Sequence, residues 1–247
     1  MSRWKAAGIH LSISLIVATL VGSLIYFVWY PPPYFTVAGG SKLMLLIMSV
    51  DVVIGPLLTL AVFRTGKKGL KFDLTVITLL QLSAFCYGFN VITGVRPVFI
   101  VAQLDRFVPV SANQLDDVDL AQASRPEFAT RSWTGPRLAA AIMPTDLKEA
   151  DAILSSGLRG KDIDKYPKYY VPYPQAADDL LKRAHPLAEL IKKQPQQAEQ
   201  IQGFIDSSGE NPSDLVYLPL EGRVDSYTMV LSRRTKQPLT ALAVDPW

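Results

Sequence analysis

Three stretches of the chain are almost unbroken in apolar residues: 9–30 (IHLSISLIVATLVGSLIYFVWY), 43–63 (LMLLIMSVDVVIGPLLTLAVF) and 72–93 (FDLTVITLLQLSAFCYGFNVIT). Each is close to the ~20 residues with which an α-helix crosses a hydrocarbon core about 30 Å thick. Short polar breaks separate them, and no run of comparable length follows Arg96. The pattern predicts a three-helix transmembrane bundle in residues 1–95 and a soluble domain in residues 96–247.

Shorter patterns organise the rest. Residues 96–110 (RPVFIVAQLDRFVPV) are rich in β-branched and aromatic side chains and predict a strand, and 114–124 fit a short helix. Residues 137–144 (RLAAAIMP) suit either a buried strand or a helical turn closed by Pro144. Thr145 is the expected N-cap of a helix that carries Leu147, Ala150, Ile153 and Leu154 on one face and stops at Gly157. The Tyr- and Pro-rich stretch 164–174 (DKYPKYYVPYP) predicts an extended loop. Helical spacing then runs through 175–209, interrupted at Pro186 and Pro195. Three β-rich segments close the chain, with RRTKQ (233–237) as a hairpin tip. The expected domain is α+β with a mainly antiparallel sheet, its early strand pairing with the C-terminal set.

Charge orients this arrangement. Arg3 and Lys5 precede the first apolar run, and Arg64, Lys67, Lys68 and Lys71 fill the second break, whereas the first break holds only Lys42. Because short translocated loops disfavour Lys and Arg, the N terminus and the 64–71 loop are expected in the cytoplasm and, after three crossings, residues 96–247 on the outer side of the membrane. Residues 1–95 carry seven Lys and Arg against two acids, a balance of +5, leaving eighteen against twenty, −2, for residues 96–247. The domain thus has none of the basic excess that nucleic-acid binding requires. The first run is too long for a usual signal-peptide core and no A-x-A site follows before Pro31, so an uncleaved anchor is expected. The lone Cys86 lies in the third run, so no disulfide is expected outside the membrane.

Candidate chemistry is sparse. His10 and His185 fall on opposite sides of the expected membrane, and no nucleophile elbow, Walker loop, dinucleotide fingerprint or zinc-protease motif occurs. His185 reads as a helix-surface residue. Asp116, Asp117 and Asp119 read as a solvated helix face. No catalytic, cofactor or metal residue is assigned, and the chain is not expected to be an enzyme.

Asp51 is the anomaly. A carboxylate at mid-membrane costs about 2.5–3.5 kcal/mol on insertion scales, so it needs a proton, a partner or water. Gly22 and Ser23 of the first helix and Gln81 and Ser83 of the third lie at similar depth. One reading is interhelical glue worth roughly 0.6–2 kcal/mol. The other is a polar notch for a foreign transmembrane helix, because Gly55 removes a side chain and Pro56 cannot donate to the Val52 carbonyl. In the domain, Asp105 and Arg106 suggest a salt-bridged strand end or a contact point, and Tyr169, Tyr170 and Tyr173 suggest either a contact loop or the lid of a small core.

The motifs VDVVIGPLLTLAVF, RPVFIVAQLDRF, GPRLAAAIMP and a terminal hairpin ending in DPW, in this order over nearly the whole chain, resemble the type IV pilin accessory proteins, the TfpX/TfpZ group. The resemblance implies a pilin-specific chaperone or assembly factor of the inner membrane whose partners are a cognate major pilin and the lipid bilayer. On that footing, Asp51, Gly55 and Pro56 would hold the pilin's membrane helix and Asp105, Arg106, Tyr169, Tyr170 and Tyr173 its exported head. The alternatives are a membrane-embedded enzyme using Asp51, or an envelope sensor. The enzyme lacks a second carboxylate or histidine at that depth, and the sensor lacks an output domain.

Overall fold

The computed structural model describes residues 1–222 and 225–247, apart from the side chains of 42, 43, 46 and 47. The first helix, Arg3–Leu24, is capped by the Ser2 hydroxyl, which accepts from the Lys5 N–H at 3.3 Å, and runs on through a π-helical turn, Ile25–Trp29. Pro31, Pro32 and Pro33 follow, and without N–H groups they cannot extend it. Gly39, at φ 74°, supplies the left-handed turn into the second helix, which runs Gly40–Ser49, a π turn Val50–Ile54, then Gly55–Val62. The third helix spans Leu70–Val95.

Two of these, Arg3–Trp29 and Leu70–Val95, are long and apolar enough to cross a membrane, while Val50–Val62 is a shorter apolar segment. Ile16 and Leu20 of the first helix and Phe72, Leu79 and Leu80 of the third point outward, uncovered by protein. Apolar surface on this scale is what a lipid or protein partner covers.

The π turn at Val50–Ile54 has a local cause. Pro56 lacks the N–H that would close the helical bond to Val52, and the backbone widens by one residue just ahead of it. Asp51 therefore sits on irregular backbone.

An α/β domain follows. Its strands are β1 (Pro97–Gln103), β2 (Arg106–Ser111), β3 (Arg137–Ala141), β4 (Tyr170–Pro172), β5 (His185–Pro186), β6 (Leu215–Glu221), β7 (Ser226–Ser232) and β8 (Pro238–Leu242). Among the described residues they form one sheet in the order β4-β3-β1-β2-β6-β7-β8, with β5 pairing β6. The sheet is mixed, where the sequence led us to expect mainly antiparallel pairing. β3 lies parallel to β1, in register Phe99↔Arg137 to Gln103↔Ala141, and β2 meets β6 in parallel at Phe107↔Leu220. β2 already ends beside the start of β1, at Pro97↔Ser111, so the connection 112–136 passes across that end of β1 and lays β3 along its other side.

The expected single strand at 96–110 is a hairpin, folded back at Leu104 (φ 46°) and Asp105. Residues 137–141, rich in helix-favouring alanine, form a strand because both faces there are buried. The helix cap is Asp146, whose carboxylate accepts from the Glu149 N–H at 2.9 Å, and not Thr145. His185 lies in β5, not on a helix surface, its ring 5.6 Å from that of Tyr217.

β1 is buried along its whole length, which explains its nearly continuous apolar sequence. Ile100 and Ala102 face a core shared with Phe107, Tyr173, Leu180 and Leu218, while Phe99 and Val101 face one shared with Ile153, Ile163 and Tyr170. The helix Ala177–Arg183 covers the first face and Leu147–Gly157 the second.

Asp164 is 4% exposed, and its burial pushes the carboxyl up from 3.8 to about 6, against a smaller opposing pull from Lys165. A pKa raised in the folded state means that folding binds a proton. The contribution to stability is full below the unfolded value and is lost as pH rises through about 6. We expect Asp164→Asn to stabilise the domain at pH 7 by up to about 3 kcal/mol and to flatten the fall in melting temperature between about pH 4 and pH 6. Thermal melts across pH for both forms check this.

Candidate functional site

The three helices place one polar stripe each on a common groove. His10 and Ser14 come from the first helix, Asp51, Gly55 and Thr59 from the second, and Thr78 and Gln81 from the third. The spacings are i, i+4 on the first helix, i, i+4, i+8 on the second and i, i+3 on the third, which bring these residues to one face of each helix. The groove has a volume of about 560 Å³, and Ile9, Ile13, Ile77, Leu82 and Phe85 supply its apolar walls.

Its floor is tight. Thr59 is 4% exposed and its Oγ1 shares a 2.6 Å hydrogen bond with His10 Nδ1. Gly55 is buried against the Gln81 amide, so closely that a Cβ there would fall 1.9 Å from Gln81 Nε2. Pro56 is buried beside it. On the far side of Asp51 a small cavity of about 20 Å³ lies among Gly22, Met44 and Met48. A Cβ on Gly22 would come within 2.9 Å of Met48 Cε, so the first and second helices cross in close contact here.

Asp51 Oδ1 is buried and has no hydrogen-bond partner among the described residues. Of the four partners expected from depth alone, Gly22 and Gln81 lie around Asp51, whereas Ser23 and Ser83 are exposed on outward faces. His10 and Thr59 were missed by the depth count, although the helical repeat that joins Asp51 to Thr59 was there to be read.

The domain residues form no single site with Asp51. Gln81 precedes Arg96 by fifteen residues, roughly 22 Å of helix. Arg106 Nε donates to Asp105 Oδ1 at 3.0 Å and its Nη1 to Glu221 Oε1 at 2.7 Å, tying the β1–β2 turn to the end of β6. Both residues of the turn remain partly exposed. Tyr169 is part-buried and donates to Glu149 Oε1 at 2.7 Å.

Tyr170 and Tyr173 are corrected to core positions, at 0% and 2% exposure. The Tyr170 ring packs edge-on to Phe99 (5.3 Å) and Phe128 (5.6 Å), with its hydroxyl donating to the Asp164 carbonyl. Neither tyrosine offers surface to a partner. The acids 116, 117 and 119 are paired rather than merely solvated: Lys161 reaches Asp116 at 3.1 Å and Asp119 at 2.6 Å, and Arg131 reaches Asp117 at 2.6 Å. Among the described residues no group of three His, Cys, Asp or Glu is placed to hold a metal ion.

Comparison with known proteins gives this arrangement a family. The model for the fimbrial assembly protein FimB matches residues 1–39. The chain is 34% identical over 245 residues to the serogroup I fimbrial assembly protein of Dichelobacter nodosus, covering 98% of this chain and 95% of that one. It is 33% identical over the same shares to the serogroup E1 protein of that organism. The protein of serogroups C1 and C2 is 43% identical over 122 residues, 48% of this chain and 92% of that one. No solved structure matches. With end-to-end relatives above 30% identity and the motif order already noted, the chain belongs to the FimB family of fimbrial assembly proteins, the accessory proteins of type IV pili.

Proposed function

We propose that this protein is a multi-pass component of the bacterial inner membrane that holds its cognate major pilin before or during pilus assembly, without catalysing a reaction. All three helices cross the bilayer as a bundle in this reading, with the N terminus and residues 64–71 in the cytoplasm and the domain in the periplasm. The pilin's membrane helix lies along the groove, and the exposed rim at Asp105, Arg106 and Tyr169 meets its exported head. Tyr170 and Tyr173 support the domain from within.

The observation that carries the reading is the buried Oδ1 of Asp51, without a partner among the described residues, in a groove whose walls are mostly apolar. An unsatisfied polar atom at this depth costs stability, and it persists where an incoming group completes it. If Asp51 were only glue, its oxygen would be bonded to Gln81 or another helix. The groove is large enough for several side chains of a docking helix, and the closeness of Gly55 to Gln81 brings the polar amide to its wall.

The test is a pair of substitutions in cells that make the cognate pilin. Asp51→Asn keeps a hydrogen-bonding side chain and should keep most piliation, whereas Asp51→Leu should lower it by about ten-fold, the worth of one hydrogen bond to a charged or strongly polar group in an apolar site. Equal piliation for Asp51→Leu and the parent, at equal protein level, would remove Asp51 from the interface.

A further inference from the structure

A second cavity, of about 790 Å³ and more polar than the groove, opens where the third helix meets the domain, between the helix end, the turn after β2 and the loop that leads to β3. Its charged lining is Arg96, Arg131 and Asp117, a net charge of +1. Arg96 is 4% exposed. Its Nε donates to the Ser132 carbonyl at 3.2 Å and its Nη1 to the Thr93 carbonyl. The guanidinium stacks 3.9 Å from the centre of the Trp133 ring and 5.8 Å from that of Trp29.

No ion pair reaches Arg96 among the described residues, whose one carboxylate in the cavity, Asp117, is bonded to Arg131. Burial, and then the like charge of Arg131, push the Arg96 pKa down. The cavity is therefore short of one negative charge. Asn90, Thr93, Asn113 and Thr130 add hydrogen-bonding groups to the wall. Trp133 remains 59% exposed although its carbonyl accepts from Trp29 Nε1 at 3.1 Å. Trp29 and Val95 end the two long apolar helices, so the cavity opens at the level where headgroups lie if those helices cross a bilayer, the depth at which tryptophan is favoured.

We propose that this cleft binds one anionic phospholipid of the leaflet on the domain's side, its phosphodiester between Arg96 and Arg131 and its glycerol beside Trp133. Arg131 already donates from Nε, Nη1 and Nη2 to the Ala112 carbonyl, Asp117 and the Leu115 carbonyl, and Arg96 from Nε and Nη1, so the phosphodiester takes the remaining N–H groups, chiefly those of Arg96 Nη2, and supplies the missing charge. The site would fix the height and tilt of the domain over the membrane. The inference rests on the membrane-spanning part of the reading above and not on pilin recognition, so its failure leaves the groove untouched.

Native mass spectrometry of the delipidated full-length protein tests it, with phosphatidylglycerol, phosphatidylcholine and inorganic phosphate as probes. One phosphatidylglycerol should be retained about ten-fold more tightly than phosphatidylcholine, whose choline cation offsets the charge of the same phosphodiester beside Arg96 and Arg131. That adduct should be lost in Arg96→Gln and in Gly94→Leu. A Cβ on Gly94 would meet only Asn113 Cβ, at 3.9 Å, so leucine there fills the cleft without removing a bond, and an unchanged melting temperature confirms its fold. Retention by Gly94→Leu equal to the parent's would overturn the proposal. So would equal retention of the two lipids, or displacement of the lipid by inorganic phosphate, which would mark a site for the free ion.

Discussion

Replacing Gly55 by leucine is expected to abolish or nearly abolish piliation while leaving the domain folded. Alanine at this position already drives Cβ to 1.9 Å from Gln81 Nε2. The Gln81 amide is the far end of a flexible side chain, so Gly55→Ala should be absorbed by a rotamer change, with a mild phenotype. Leucine has no such escape, because its branched end must occupy the groove itself. Overpacking of this kind costs roughly 1–3 kcal/mol, which corresponds to roughly a five- to 150-fold loss of a bound helix. Gln81→Ala in the Gly55→Ala background should restore the space but not the polar wall. Pilus counts and protein levels in cells carrying these variants check the ranking. Parent-like piliation with Gly55→Leu would show that nothing docks in the groove.

The largest effect on stability is expected at Tyr170. Its ring is fully buried between Phe99 and Phe128, so truncation to alanine should cost about 3–5 kcal/mol. Typical domains hold only about 5–15 kcal/mol in reserve. Tyr170→Ala should therefore lower the thermal midpoint sharply and reduce the level of the protein in cells. Tyr170→Phe removes only the hydroxyl that donates to the Asp164 carbonyl, and should cost about 0.5–1.5 kcal/mol. Melts followed by circular dichroism separate the two. Any loss of piliation with Tyr170→Ala then tracks protein level, unlike the loss expected with Gly55→Leu.

The long apolar helices were legible because about twenty consecutive apolar residues admit few other readings, and the C-terminal strands because alternation and turn residues agree from Asp214 to the end. Long-range pairings were not. β1 and β3 lie some thirty residues apart, and their parallel register follows from the burial of Ala139, Ala140 and Ala141 against β1, which an alanine run does not announce. Tyr170 and Tyr173 carry hydroxyls and stand beside prolines, so locally they look like surface loop. Their rings are placed by Phe99, Phe107 and Phe128, far away in sequence.

At the groove, Asp51, Gly55 and Pro56 stood out because each breaks the rule of an apolar helix. His10 did not, because one polar residue near a helix end is unremarkable until Thr59 is seen 2.6 Å away. Depth alone proposed four partners for Asp51 but could not tell which face each presents. Rotation about the helix axis decides that, and it put Gln81 inward and Ser23 and Ser83 outward.

Photocrosslinking from position 82, a wall of the groove that leaves Asp51 intact, tests the central claim most directly when done in cells that express the cognate pilin, with position 169 as the companion probe. The account predicts that position 82 captures the apolar N-terminal helix of the pilin, identified by mass spectrometry, that position 169 captures its head, and that Gly55→Leu abolishes the first crosslink. Crosslinks from position 82 confined to the protein itself, with pilin present, would contradict it and leave Asp51 as part of the bundle's own packing.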